Sequence, residues 1–169
     1  MTREIVLRDV IDEDLPVFFA QQLDADANRM AAFTSKDPTD RSAFMAHWAT
    51  IRGDHSNAIK TIVVDGQVAG HVLRFDEASH PEVSYWLGKR YWGQGIATGA
   101  LTVFLGQVRE RPLYARAAQD NSASIRVLQK CGFTIVGEDK GFANARGAEV
   151  EEYILMLGTN DTNDARSSL

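Results

Sequence analysis

The chain of 169 residues contains one cysteine, Cys131. A lone thiol excludes an internal disulfide and a cysteine metal cluster and suits a reducing compartment, so the expected location is cytoplasmic and no metal is expected. The sequence also lacks any apolar run near the roughly 20 residues a membrane span needs, and no basic-then-apolar segment opens it. Positive charge is in deficit. Eighteen Lys and Arg against 23 Asp and Glu leave a formal net charge of −5, which argues against a general nucleic-acid surface but leaves room for a local basic patch. What is present is apolar enough for one core, with 44% hydrophobic residues. We therefore expect a single domain over residues 1–158 and a disordered tail at 159–169, where Asn, Asp, Thr and Ser dominate.

The most informative stretch runs from Pro81 to Val108. An alternating, aromatic-rich strand over Glu82 to Leu87 passes through a short basic loop and enters a helix across Gly93-Gln94-Gly95. Glycines at such a joint let backbone N–H groups turn outward, and the positive end of the helix dipole adds to them. The joint is a candidate cradle for a phosphate.

The rest of the chain falls around this joint. A short strand at Ile5 and Leu7 is followed by a helix opened by Asp12-Glu13-Asp14, with Leu15, Phe18, Phe19 and Leu23 as its apolar stripe. Asp24 to Pro38 reads as a loop, and a second amphipathic helix runs from Thr39 to near Gly53. Strands over Ala58 to Val64 and Gln67 to Phe75 flank Asp65-Gly66, a two-residue hairpin signal. After the glycine joint, Pro112 to Ala117 reads as a strand, and Asn121 is a natural N-cap for a helix over Ser122 to Lys130. Phe133 to Glu138 and Val150 to Leu157 are the last strands, with a long loop from Gly141 to Gly147 between them. The histidines, His47, His55, His71 and His80, show no ligand spacing.

The order β-α-α-β-β-β-α-β-α-β-β resembles the GNAT acetyltransferase superfamily from about Ile5 to Leu157. The likeness rests on Arg90-Tyr91-Trp92-Gly93-Gln94-Gly95 after the fourth strand and on Asn121-Ser122-Ala123-Ser124, closing on Cys131-Gly132-Phe133, after the fifth. The first motif fits the family's acetyl-CoA signature R/Q-x-x-G-x-G/A. Tyr91 to Thr98 looks most like the branch that acetylates ribosomal-protein N-termini. The resemblance implies an α/β fold with a mixed central sheet splayed between the fourth and fifth strands and flanked by about four helices. It implies acetyl-CoA as co-substrate, with pantetheine pairing to backbone at Trp86 and Leu87. Pyrophosphate would rest on N–H groups of Gly93, Gln94, Gly95, Ile96, Ala97 and Thr98, with Arg90 and Asn121 as further contacts.

Direct acyl transfer requires a base for the attacking amine and a proton for the departing thiolate. Many relatives carry a tyrosine as acid seven residues after the asparagine, where this chain has Leu128. Some carry a glutamate as base where this chain has Arg116, which cannot be a base at neutral pH. The branch likeness suggests Ser124, or a water it holds, as acid. Glu82, sharing a strand face with Ser84 and Trp86 by alternation, is the remaining carboxylate for the base, acting through water. Simpler readings stand beside these: a solvent-facing strand residue for Glu82 and a backbone-bonded hydroxyl for Ser124. The expected acceptor is a primary amine, on a protein or peptide N-terminus or a small molecule. Its lining is expected from Asp24 to Phe33, from the second helix around His47 and from the Gly141 to Gly147 loop. A non-catalytic acyl-CoA-binding or sensing domain is the alternative. No nucleic-acid or membrane partner is expected, and exposed edges at the last two strands would allow a homodimer.

Overall fold

The computed structural model describes residues 3–159. All of the tail expected at 159–169 except Thr159 therefore lies outside the described residues. Seven strands form one sheet: β1 Ile5–Arg8, β2 Ala58–Val64, β3 Gln67–Glu77, β4 His80–Leu87, β5 Leu113–Ala118, β6 Thr134–Ala143 and β7 Ala148–Leu157. Their spatial order is β1-β2-β3-β4-β5-β7-β6. Two tight hairpins build the first half. Asp65 and Gly66 join β2 to β3 with φ of 48° and 81°, and Ala78 and Ser79 join β3 to β4 with φ of 50° and 72°, the left-handed pair that a two-residue turn between twisted strands requires.

The sheet is antiparallel except where β4 meets β5, and there the parallel ladder has a single register pair, Glu82 with Tyr114. Beyond it, residues 83–87 and 115–118 run on without pairing to one another. The expected splay is therefore present, with its apex at Glu82. On the other side β5 pairs with β7 along its whole length, and β6 lies outside β7. This corrects the expectation that both final strands present edges: β7 is interior and β6 alone of the two is an edge.

Five α-helices flank the sheet: α1 Leu15–Gln22, α2 Ala25–Ala31, α3 Arg41–Gly53, α4 Ile96–Gln107 and α5 Ser122–Lys130. One face packs α4 and α5 against the larger core, where Phe104, Leu101, Ile96, Leu113, Phe133 and Leu155 are almost fully buried. The other face packs α1 and α3 around Phe18, Phe44 and Trp48. Burial of these aromatics, at about 25 cal/mol per Å² of apolar surface, is the main force holding the layers together. Among the described residues no helix is long and apolar enough to cross a membrane.

Two local expectations differ from the structure. Asp24 to Pro38 is not all loop: α2 forms there, with the Asp24 side chain accepting from the Ala27 N–H at 2.8 Å. Its Asp-Ala-Asn-Arg composition shows no apolar periodicity because only Ala27 is buried in it, so the cap was its one local signal. The loop expected at 141–147 is shorter, because β6 runs to Ala143 and β7 starts at Ala148. Phe142 is 63% exposed, so the alternation that marks a half-buried strand is missing there.

Candidate functional site

The splay opens a cleft of about 980 Å³ between β4 and β5, bounded by α2, the start of α4 and α5. At the glycine joint, Gly93 and Gly95 have φ of 72° and 76°. A Cβ added at either would meet nothing within 4 Å, so the glycines are required by backbone conformation and leave open space in front of the loop. Gly95 caps α4 without any side-chain acceptor. The first hydrogen bond of that helix is Gly99 N–H to Gly95 O at 3.1 Å, so the N–H groups before it are free of intrahelical acceptors and directed outward.

Of the residues singled out from sequence, Glu82, Trp86, Leu87, Gly93, Gly95, Ile96, Ala97, Thr98, Asn121 and Ser124 all line this cleft, whereas Arg90 and Gln94 do not. The Arg90 guanidinium lies over the Tyr91 ring, 5.0 Å from its centroid. Gln94 Nε2 donates to the Arg90 carbonyl at 2.9 Å. Trp92 walls the joint, its Nε1 donating to the Leu87 carbonyl at 2.8 Å. Behind it, Gly70 lets β3 approach β4: a Cβ there would sit 2.0 Å from the Trp86 carbonyl oxygen.

Asn121 uses both ends of its amide. Oδ1 accepts from the Ser124 N–H at 3.2 Å, the expected cap, and Nδ2 donates to the Met30 carbonyl at 3.2 Å. It thereby ties α5 to α2. Further ties hold α2 and the turn after it: Lys89 pairs with Asp26, Arg146 Nε donates to the Arg29 carbonyl at 2.7 Å, and Asn144 Nδ2 donates to the Thr34 carbonyl at 2.7 Å. The expected lining is met at Ala27, Met30 and Phe33, but no residue of α3 or of the 141–147 segment lines the cleft. His47 is exposed on α3 and does not line the cleft. His71 also lies outside the cleft, 4.8 Å from both Phe18 and Trp48, and burial holds its imidazole down to about 3.

At the apex, Glu82 is 5% exposed and its carboxylate lies 3.6 Å from Arg116 Nε. Arg116 also donates to Glu152 at 2.7 Å and to Asp139 at 3.1 Å. One guanidinium thus serves three carboxylates from β4, β6 and β7. Burial pushes the Glu82 carboxyl above the ordinary carboxylate value, the Arg116 charge opposes that rise, and Glu77 and Glu152 add to it. On the opposite side of β4, the Tyr85 hydroxyl donates to Ser124 Oγ at 3.3 Å. Burial raises the Tyr85 phenol above its ordinary value, and the hydrogen bond with Ser124 opposes that rise. Leu128 is 3% exposed and belongs to the core.

Reading the sequence for motifs missed Tyr85, the carboxylate Asp139, and the cations Arg126 and Lys130, all of which line the cleft. Arg126 and Lys130 carried a signal, since residues four apart share a helix face. Asp139 carried none, because tertiary pairing of β6 with β7 brings it, together with Glu152, to Arg116.

Residues 4–134 match the acetyltransferase (GNAT) domain family. Solved structures with a similar fold include a ribosomal-protein-alanine N-acetyltransferase from Brucella melitensis, at 22% identity over 89% of this chain and 98% of that one, with a TM-score of 0.75. Mycobacterium smegmatis RimJ in complex with CoA-disulfide is 21% identical over 93% of this chain and 83% of its own, with a TM-score of 0.77. The microcin C7 self immunity acetyltransferase MccE, in complex with acetyl-CoA and AMP, is 19% identical over 92% of each chain, with a TM-score of 0.76. At these identities the likeness is one of fold. No match was found among curated proteins.

Proposed function

Because the chain belongs to the GNAT acetyltransferase family, we propose that it transfers acetyl from acetyl-CoA directly to a primary amine, on a protein or peptide N-terminus or on a small molecule. The observation that carries this reading is the wedge between β4 and β5, which leads from the buried carboxylate Glu82 to the open N-terminus of α4. The residues present suit the donor on physical grounds. Diverging strands leave backbone groups near Trp86 and Leu87 available to an amide-bearing arm, which would pair as a substitute strand. Outward N–H groups from Gly93 through Gln94, Gly95, Ile96 and Ala97 to Thr98 suit a pyrophosphate, and no Cβ intrudes on that space. Arg126 and Lys130 add cations along the same cleft, and Arg90 adds its charge nearby. Asn121 holds the start of α5 in position and retains one amide hydrogen for a further contact. Bound acetyl-CoA supplies the activated acetyl group as a thioester.

Glu82 acts as base toward the incoming amine, directly or through one water. A carboxylate whose proton affinity is raised by burial is a stronger base than an ordinary one. Ser124, across the wedge, gives a proton to the departing thiolate. Calorimetry with acetyl-CoA, followed by thiol-release assays on peptides, polyamines, aminoglycosides and amino acids, tests the reading. Binding with amine-dependent release supports it. Binding with no release on any amine leaves a CoA sensor, and no binding sinks both. Replacing Glu82→Gln is expected to lower turnover by about 10²-fold or more and to abolish the acidic limb of the pH profile.

A further inference from the structure

Resting on that reading of the cleft, we infer that Tyr85 is a positioning residue that works through Ser124, holding its hydroxyl in place and resupplying the proton it gives up. The two hydroxyls come from different elements, β4 and α5, and meet at 3.3 Å in the wall of the cleft. Strand alternation separates the two halves of the chemistry. Glu82 lies on the face of β4 that meets Arg116, whereas Tyr85 packs with the core under α4 and α5. A proton is thus removed from one side of the wedge and delivered from the other.

The need for a partner follows from acidity. An aliphatic hydroxyl is a far weaker acid than a thiol, so Ser124 can protonate a thiolate only while its own oxygen receives a proton. A phenol, ordinarily at about 10 and here raised by burial, is still much closer than an aliphatic hydroxyl to a thiol at about 8.5. In the step, Ser124 passes its hydroxyl proton to the departing sulfur and Tyr85 passes its phenolic proton to Ser124 Oγ. The carbon–sulfur bond breaks with its electron pair on sulfur, and water returns a proton to the Tyr85 phenolate. Groups facing the phenol are Ser124 and Cys131 on the helix side. With Leu128 in the core of α5, the phenol comes from the strand instead.

The test has two independent readouts. In the free protein, NMR of ring-labelled tyrosine, assigned with Tyr85→Phe, follows the Tyr85 titration. Ser124→Ala is expected to move it to higher pH, because the Ser124 hydroxyl can no longer turn to donate to the phenolate. In turnover, Tyr85→Phe is expected to lower kcat by about 10²-fold with KM for the amine unchanged. The double variant should lose no more than the worse single variant. Fluorotyrosine at position 85, a more acidic phenol, should shift the alkaline limb of the profile downward, and it carries the test if Tyr85→Phe folds poorly. An unmoved titration, a full-rate Tyr85→Phe enzyme or strictly additive losses would each overturn the inference. Absence of thiol release by the wild-type protein counts instead against the acetyl-transfer reading, and the titration still decides whether the hydroxyls are coupled.

Discussion

Arg116 is the place where removing one side chain should be felt both in stability and in its dependence on pH. It is the cation that the structure places against Glu82, Glu152 and Asp139. Two of those carboxylates are nearly buried, at 5% and 8% exposure. Breaking a buried ion pair by removing one partner costs about 3–5 kcal/mol. Arg116 itself keeps 34% of its side-chain surface in water, and solvent screening reduces the figure, so we expect Arg116→Gln to cost about 2 kcal/mol near neutral pH. That corresponds to a fall of roughly 4–8 °C in Tm for a chain of this size.

The sign of the pH dependence follows from Glu82, whose folded carboxyl titrates above its unfolded value of 4.5. A carboxyl raised in the folded state binds its proton more tightly there, so its ionisation weakens the fold as pH rises through the folded value. Without Arg116 this rise is larger. Asp139 contributes in the same direction: it is lowered first by the Lys140 N–H and then by Arg116, so the stability it draws from Arg116 is present above its unfolded value of 3.8, is lost as pH falls through the folded value, and is what the variant forfeits at neutral pH. The deficit of Arg116→Gln should therefore be full at about pH 7.5, begin to shrink as Glu82 takes up its proton, and close only below about pH 3.8, where Asp139 protonates as well. Urea unfolding of both proteins at several pH values measures it. An equal deficit at both ends would mean that Arg116 acts through packing and not through charge. In turnover the same variant should move the acidic limb of the profile to higher pH.

Three further outcomes are expected. Gly95→Ala places a Cβ in open space but at φ 76°, so the fold should lose only about 1–2 kcal/mol, while acetyl-CoA affinity by calorimetry falls at least tenfold; unchanged affinity would remove the joint from the donor site. Asn121→Ala loses a helix cap and the tie to Met30, costing about 1–2 kcal/mol and speeding amide exchange in α2; protection left as it was would show that the tie does not hold that helix. Ser79→Gly relieves a non-glycine residue at φ 72° in the β3–β4 turn and should stabilise by about 0.5–1 kcal/mol, read from the midpoint of urea unfolding; a lower midpoint would mean that the Ser79 side chain supports the turn.

Local chemistry explains which parts were legible in the chain. Hairpin turns at Asp65-Gly66, period-2 alternation along β4, the Asn121 cap and glycines at a strand-to-helix joint are each set by a few adjacent residues. The family motif is of the same kind, since it reports backbone geometry within one turn of chain. By contrast, α2 has a single buried residue and no periodic stripe. It stands because Asn121, Arg146, Asn144 and Lys89, all distant in sequence, hold it.

By itself the sequence determined the glycine joint, most of the strands and helices, and many of the residues along one wall of the cleft, because those depend on φ, on caps and on spacing along a continuous segment. Only the tertiary structure decided that β7 enters between β5 and β6, that the β4–β5 ladder stops after Glu82 and Tyr114, and which side chains meet there. Arg116 looked like the loss of a base until three strands placed carboxylates around it, and Tyr85 had no part in the reading until α5 brought Ser124 to its hydroxyl. Such contacts depend on strand order and helix docking, which are set by burial summed over the whole core and leave no mark within any short stretch of sequence.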